Sequence, residues 1–143
     1  MALVTIFFAL AGLHLYWGLG GFWPGTDGDT LRLRVVGTHT GPMFGFAASA
    51  LVAGALAAAA AIVLARHYVT SIAPIGWVVT AGYVVLFAVF AGRGVLPYVS
   101  DVFSYARGTP FYDLNLRYYA PLCLLIAALL AADFLRAPVE RAG

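Results

Sequence analysis

The chain has 143 residues, of which 63% are hydrophobic and 10% are charged, and its mean hydropathy is +0.93. This composition is too apolar for a soluble domain and indicates a membrane protein whose main partner is the lipid bilayer. The net charge of +2 comes from eight arginines against six acidic residues, which are too few and too scattered to make nucleic acid an expected partner. The single cysteine, Cys123, excludes an internal disulfide and a cysteine-based metal site.

Four apolar segments dominate the chain and lie at residues 2–19, 42–64, 75–95 and 119–135. Each is close to the ~20 residues with which a helix crosses ~30 Å of hydrocarbon. The sequence therefore predicts one all-α domain over residues 1–143, an integral membrane bundle of four transmembrane helices, with two longer loops, 20–41 and 96–118, on one side. Arginines are shared almost equally between the two sides, so the positive-inside rule leaves the orientation open.

The first segment contains the stretch "GLHLYWGLGG", with His14 inside an otherwise apolar run. At ~1.5 Å per residue, His14 lies ~18 Å along the helix, past the midplane and toward the long loops. Its ring either makes a structural hydrogen bond or binds a ligand or a proton. The segment lacks a basic start and a small-residue cleavage site, so we interpret it as a retained helix and not a secretory signal.

The first long loop and the second segment carry two further patterns. The alternation in "LRLRVV" predicts a short extended cap or interfacial strand, or else an amphipathic turn on the headgroups. The second segment is rich in alanine and contains Gly54, and Gly41 and Gly45 precede it. Small residues let helices approach closely in lipid, so we expect these three glycines to pack against another helix. The alternative is a plain apolar span that faces lipid.

Arg93 is the one charged residue of the third segment, in the stretch "AGRGVLPY". It lies ~27 Å along that helix, near the surface that His14 approaches. The flanking glycines and Pro97 predict that the helix loosens or ends here. In one interpretation Arg93 caps the last carbonyls or reaches the headgroups; in the other it shares a pocket with His14.

Two acidic residues stand near arginines around the fourth segment. Asp113 lies four residues before Arg117, which predicts a solvated ion pair if the helix begins early. Asp133 lies three residues before Arg136, which predicts a pair that ends the helix at the headgroups.

These placements suggest an aromatic-lined pocket beneath the long loops, anchored by His14 and Arg93, for a quinone, lipid, fatty acid or other amphipathic molecule. The candidate ligand-binding residues are His14, Tyr16, Trp17, Arg93, Tyr98, Asp113, Arg117 and Tyr118.

No cofactor is assigned by the sequence, and haem is not favoured. A haem needs axial ligands at matching depth, and His14 has only His39 nearby, outside the bilayer. No H-x-x-x-H or E-x-x-H pattern predicts a metal site. No nucleophile motif is present either, so catalytic residues stay unassigned and enzymatic activity stays an open question.

The chain resembles an uncharacterised family of small four-span bacterial membrane proteins. The resemblance is carried by "LHLYWGLGG", the "GP" before the second helix, the Arg93 region and "FYDLNLRYYAPLCLL". The family is a domain of unknown function with H-x-Y-W-x-x-G-G in its first helix. The resemblance implies a four-helix fold in a bacterial inner membrane, and it implies no reaction. Its marked positions here are His14, Tyr16, Trp17, Gly20 and Gly21.

Two functions of different classes follow. The preferred one is a non-catalytic accessory or helper subunit that packs through the second helix against a larger membrane complex or a second copy of itself. The alternative is a membrane-embedded enzyme or redox protein that binds an amphipathic quinone or lipid near His14 and Arg93.

Overall fold

The computed structural model describes residues 1–42, 44–68 and 73–136, and every long element in them is a helix. The α-helices are α1 (Ala2–Gly18), α2 (Gly28–Val35), α3 (Phe46–Tyr68), α4 (Ala73–Val99), α5 (Pro110–Leu114) and α6 (Ala120–Arg136). A 3-10 turn, Ser104–Ala106, precedes α5, and a π-helical turn, Asn115–Tyr119, joins α5 to α6. Two parts of these predictions lie outside the described residues. They are part of the short connection between the second and third apolar segments, and Arg141, one of the arginines counted for the membrane orientation.

Three helices are long and apolar enough to cross a membrane: α3, the Gly76–Val99 part of α4, and the continuous helical stretch Pro110–Arg136. The fourth apolar helix, α1, is shorter, with 17 residues. The structure therefore confirms an all-α, membrane-type helical bundle. The helix of the second apolar segment, α3, begins and ends later than predicted. The helix of the third segment, α4, extends beyond the predicted segment at both ends.

The bundle is built from two helix pairs, because α1 packs along α3, α4 packs along α6, and α3 and α4 join the pairs. All four long helices contribute to one apolar core, which contains Leu3, Phe7, Ala59, Ala60, Val63, Val79, Tyr83, Ile126 and Leu130. Large apolar side chains such as Leu51, Trp77 and Val84 are exposed on the outer faces. Such faces are expected where the surroundings are lipid tails instead of water.

Glycines bring the paired helices together at two places near one end of the bundle. A Cβ on Gly18 of α1 would lie 2.9 Å from the Cβ of Ser49 in α3. A Cβ on Gly94 of α4 would lie 2.7 Å from the Leu124 side chain and 3.0 Å from its backbone nitrogen in α6. Side chains at these two positions would push the helices apart.

The three glycines predicted to pack helices lie elsewhere. A Cβ on Gly41, Gly45 or Gly54 would meet nothing within 4 Å. Within the chain, α3 turns Ser49 and Ala53 to the interior, and Gly54 is exposed. A contact between these glycines and another molecule therefore stays a prediction.

The stretch "LRLRVV" is helical in the structure, so the extended interpretation is wrong. The Asp27 carboxylate accepts a hydrogen bond from the Thr30 N–H at 2.8 Å, and the Thr30 hydroxyl accepts one from the Asp27 N–H at 3.0 Å. This reciprocal capping box starts α2 and outweighs the alternation, which covers only a few residues. The helix buries Leu31, and the Arg32 guanidinium donates to the carbonyls of Thr38, His39 and Gly41.

The third long helix does not end near Arg93, as the glycines and Pro97 predicted. It continues to Val99 with Pro97 inside it. A proline removes its own N–H and crowds the carbonyl four residues earlier, which can kink a helix without ending it. The helix end is closed by Ser100, whose N–H and hydroxyl both donate to the Leu96 carbonyl, at 3.1 and 2.8 Å. Arg93 is thus six residues, nearly two turns, before the end of the helix and does not cap it.

Candidate functional site

The two long loops meet and cover one end of the bundle. The Tyr105 hydroxyl donates to the Val36 carbonyl at 3.2 Å, and the Tyr119 hydroxyl donates to the Arg34 carbonyl at 3.1 Å. Gly37 has a φ of +82°, which favours glycine, and its Cα faces Ala106 so closely that a Cβ would lie 2.6 Å from the alanine Cβ. These contacts join α2 to α5 as a cap over the long helices.

A cavity of about 500 Å³ lies beneath this cap and is lined by residues of α1, α3, α4 and α6 together with the cap. Its volume is within the ~300–1,000 Å³ of small-molecule sites. The aromatic side chains that line it are Trp17, Trp23, Phe44, Phe90, Phe111 and Tyr119. The cavity also contains three polar residues from three helices, His14, Ser49 and Arg93. The structure thus brings His14 and Arg93 to one cavity.

The ring of His14 is oriented by its own helix. Its Nδ1 lies 2.8 Å from the Leu10 carbonyl oxygen, and its ring packs edge-on against Trp17, with 5.0 Å between centroids. Because a carbonyl only accepts, Nδ1 carries the hydrogen, and Nε2 of the neutral ring is an acceptor. Among the described residues, Nε2 has no hydrogen-bond partner. His14 therefore makes a structural bond with one nitrogen, and the other is without a partner in the described part of the chain.

Arg93 lies on the facing side of the cavity. Its guanidinium carbon is 4.6 Å from the centroid of the Phe103 ring, a cation–π contact. Its Nη1 atom is buried and has no hydrogen-bond partner in the described part of the chain. A guanidinium stays protonated in proteins, so this is a permanent positive charge beside an apolar cavity.

Ser49 is the polar residue that the sequence interpretation missed. It is 3% exposed, and its Oγ has no hydrogen-bond partner within residues 1–42, 44–68 and 73–136. The signal in the sequence was the single hydroxyl residue in the small-residue stretch "FAASAL". It was not usable alone, because a serine in an apolar helix commonly bonds to its own backbone.

Of the predicted ligand-binding residues, His14, Trp17 and Arg93 line the cavity, and five others do not. Two of the five support nearby backbone: the Tyr16 hydroxyl accepts from the Trp23 N–H at 3.4 Å, and the Tyr98 hydroxyl donates to the Leu116 carbonyl at 2.6 Å. The remaining three have exposed side chains, namely Asp113, Arg117 and Tyr118.

The predicted ion pair between Asp113 and Arg117 is not formed among the described residues. The π-helical turn Asn115–Tyr119 explains this, since its hydrogen bond spans five residues, from the Ala120 N–H to the Asn115 carbonyl. The wider turn rotates residues four apart away from each other. The same turn places Tyr119 on the cavity.

A second polar cluster lies at the other end of the bundle and holds three helices together. The Asp133 carboxylate of α6 accepts a hydrogen bond from the Tyr83 hydroxyl of α4 at 2.5 Å and pairs with Nε2 of His67 from α3 at 3.1 Å. Asp133 therefore faces the bundle, and the predicted pair with Arg136 is wrong. These contacts account for Asp133, Tyr83 and His67 without a ligand.

The histidines give no paired arrangement for a haem in the described residues. His39 is exposed, and His67 belongs to the cluster at the other end. The described residues also contain no group of three or more His, Cys, Asp or Glu side chains placed to hold a metal ion.

Apolar helices around a capped cavity define a helical membrane protein. The chain belongs to the family described as "Protein of unknown function (DUF3995)", whose model matches residues 7–130. The matched range includes every residue that lines the cavity, and it confirms the resemblance to an uncharacterised family. No curated protein and no solved structure matches the chain.

Proposed function

We propose that this protein is a four-span membrane protein whose capped cavity binds an amphipathic small molecule. The observation that carries the proposal is that three polar side chains, His14, Ser49 and Arg93, come from three helices to line one otherwise apolar cavity, and that each has a hydrogen-bonding atom without a partner among the described residues. The polar end of the ligand lies at these residues, and its apolar part lies among the aromatic side chains.

The energetic cost of these groups supports a binding role. A buried donor or acceptor without a partner costs about 1–3 kcal/mol, and a charged side chain within a membrane helix is costly as well. A bound molecule that supplies the missing partners offsets this cost. Ser49 Oγ and Arg93 Nη1 are two such buried atoms, and Nε2 of the half-buried His14 is a third atom without a partner among the described residues.

In the proposed topology all four long helices cross the bilayer, including the shorter α1. The cap joins the loop between α1 and α3 to the loop between α4 and α6, so both long loops lie on one side. The cavity then opens near one membrane surface, where an amphipathic molecule can enter from the lipid.

The experiment is the retention of endogenous molecules through purification. We expect wild-type protein extracted with organic solvent to yield a lipid-like molecule in fixed molar ratio, detected by mass spectrometry. Replacing His14 by Phe keeps the ring shape and removes the polar anchor, so retention should fall several-fold. The matched control is His39→Phe, at an exposed histidine outside the cavity. Equal retention in both variants would contradict the proposal.

A second function, as an accessory subunit of a larger complex or a homo-oligomer, is favoured by one further observation. Gly54, Ala58 and Ala61 of α3 are all exposed at a spacing that places them on one face. A helix of another chain could approach this face closely.

Replacing Gly54 by Leu tests that second function without disturbing the chain itself, since a Cβ at Gly54 meets nothing within 4 Å. We expect loss of the larger complex in size-exclusion chromatography with light scattering. Gly12→Leu is the control, at a glycine of α1 with equally open surroundings. An unchanged assembly in both variants would show that this face of α3 contacts lipid.

A further inference from the structure

We infer that the molecule in the cavity carries an oxyanion, a carboxylate or a phosphate, that binds Arg93; this inference rests on the proposed binding function. The reason is the charge balance of the cavity. Arg93 supplies a permanent positive charge, and no Asp or Glu among residues 1–42, 44–68 and 73–136 lines the cavity.

The carboxylates of the described residues are placed elsewhere. Asp27 accepts from Thr30 at the start of α2, Asp29 pairs with Arg32 at 2.8 Å, and Asp101 pairs with Arg107. Asp113 is exposed, and Asp133 belongs to the cluster at the other end of the bundle.

Arg93 differs in this respect from Arg32 of the cap. Arg32 has a carboxylate and three carbonyl oxygens, whereas Arg93 has the face of the Phe103 ring and a buried Nη1 without a hydrogen-bond partner in the described residues. A ring face stabilises a cation less than an oxyanion does, and a guanidinium offers parallel N–H groups that match two oxygens. An oxyanion therefore satisfies both the charge and the hydrogen bonds.

The other two polar groups fit the same head group. The buried Ser49 hydroxyl can donate to one of its oxygens. Nε2 of His14, the acceptor of the neutral ring, can accept from the remaining O–H of a singly protonated phosphate. A neutral quinone carbonyl accepts hydrogen bonds but leaves the arginine charge without a counter-ion.

The test compares probes that differ only in the head group. Bromine quenches tryptophan fluorescence on contact, and Trp17 and Trp23 line the cavity. We would titrate the full chain, carrying Trp77→Phe to remove the exposed third tryptophan, with 10-bromodecanoate and with 10-bromodecanol. The acid should bind about tenfold more tightly than the alcohol, or more, because only the acid pairs with Arg93.

Variants assign this preference to Arg93. Arg93→Gln should abolish the preference for the acid while alcohol binding changes less than about twofold. Arg136→Gln is the control, since it removes the same charge from an exposed position at the other end of the bundle. If Arg93→Gln does not fold, the wild type still decides: its preference for the acid should disappear at a pH below the pKa of the probe carboxyl.

The outcomes distinguish the oxyanion inference from the proposed binding function. Equal affinity for acid and alcohol, or an equal loss of both in Arg93→Gln, overturns the oxyanion inference and leaves the binding function standing. Saturable quenching by neither probe, together with no binding of decylubiquinone, overturns both. Displacement of the brominated acid by unlabelled decanoate or by decyl phosphate shows whether a carboxylate or a lipid-type phosphate fits better.

Discussion

His14 has two different nitrogen environments within one apolar helix. The hydrogen bond from Nδ1 to the Leu10 carbonyl orients the ring. Nε2 is the remaining polar atom of the ring. The sequence interpretation set a structural role against a ligand role for this residue. In the structure Nδ1 has the structural role, and the ligand role stays a prediction for Nε2, so the two roles do not compete.

Ser49 offers a prediction in which stability and binding change in opposite directions. Replacing Ser49 by Ala removes a buried hydroxyl that has no hydrogen-bond partner among the described residues. The ligand-free protein should keep or gain stability, by up to ~1 kcal/mol, because no internal bond is lost. Affinity for the ligand should fall about threefold to tenfold. Thermal unfolding with and without 10-bromodecanoate measures both, and a destabilised ligand-free variant would contradict this assignment.

At the scale of elements, the close approach of α4 and α6 beside the cavity depends on Gly94. An added methyl group there meets the side chain and the backbone nitrogen of Leu124, so Gly94→Ala should destabilise the protein by ~1–3 kcal/mol. Gly92→Ala makes the same change two residues away, where a Cβ meets nothing within 4 Å, and should be neutral or stabilising by up to ~1 kcal/mol. Thermal or denaturant unfolding in one detergent compares them, and equal effects would contradict the described packing.

The type of an element was predictable where a long apolar run allowed only a helix. The residues at which a helix begins or ends were less predictable. Pro97 signalled a helix end, but the hydrogen bonds of Ser100 to Leu96 carry the helix past it. The alternation of "LRLRVV" signalled a strand, but the capping box of Asp27 and Thr30, directly before this stretch, starts a helix. Local signals compete at such positions, and the sequence alone does not rank them.

At the scale of the whole molecule, the two ends of the bundle use polar residues differently. At one end Asp133, Tyr83 and His67 bond to one another across three helices. At the other end His14, Ser49 and Arg93 line a cavity, and each has a hydrogen-bonding atom without a partner in the part of the chain that the structure describes. The first arrangement fixes the helices, and the second is suited to a ligand.

Helix depth alone was enough to predict that His14 and Arg93 approach the same end of the bundle. It was not enough for residues such as Tyr98 and Arg117, whose side chains turn away from the cavity. Rotation about a helix axis, and the π-helical turn before α6, depend on packing between elements that are distant in sequence. For that reason the sequence predicted that these two residues share one end of the bundle, but not which residues line the cavity.

The most direct test of the account is an experimental structure of the wild-type protein in a lipid environment, examined at the cavity between His14 and Arg93. The account predicts elongated non-protein density with its head within hydrogen-bond distance of the Arg93 guanidinium and its tail among the aromatic side chains. A cavity that holds only water, or an Arg93 side chain turned out to the headgroups, would contradict it.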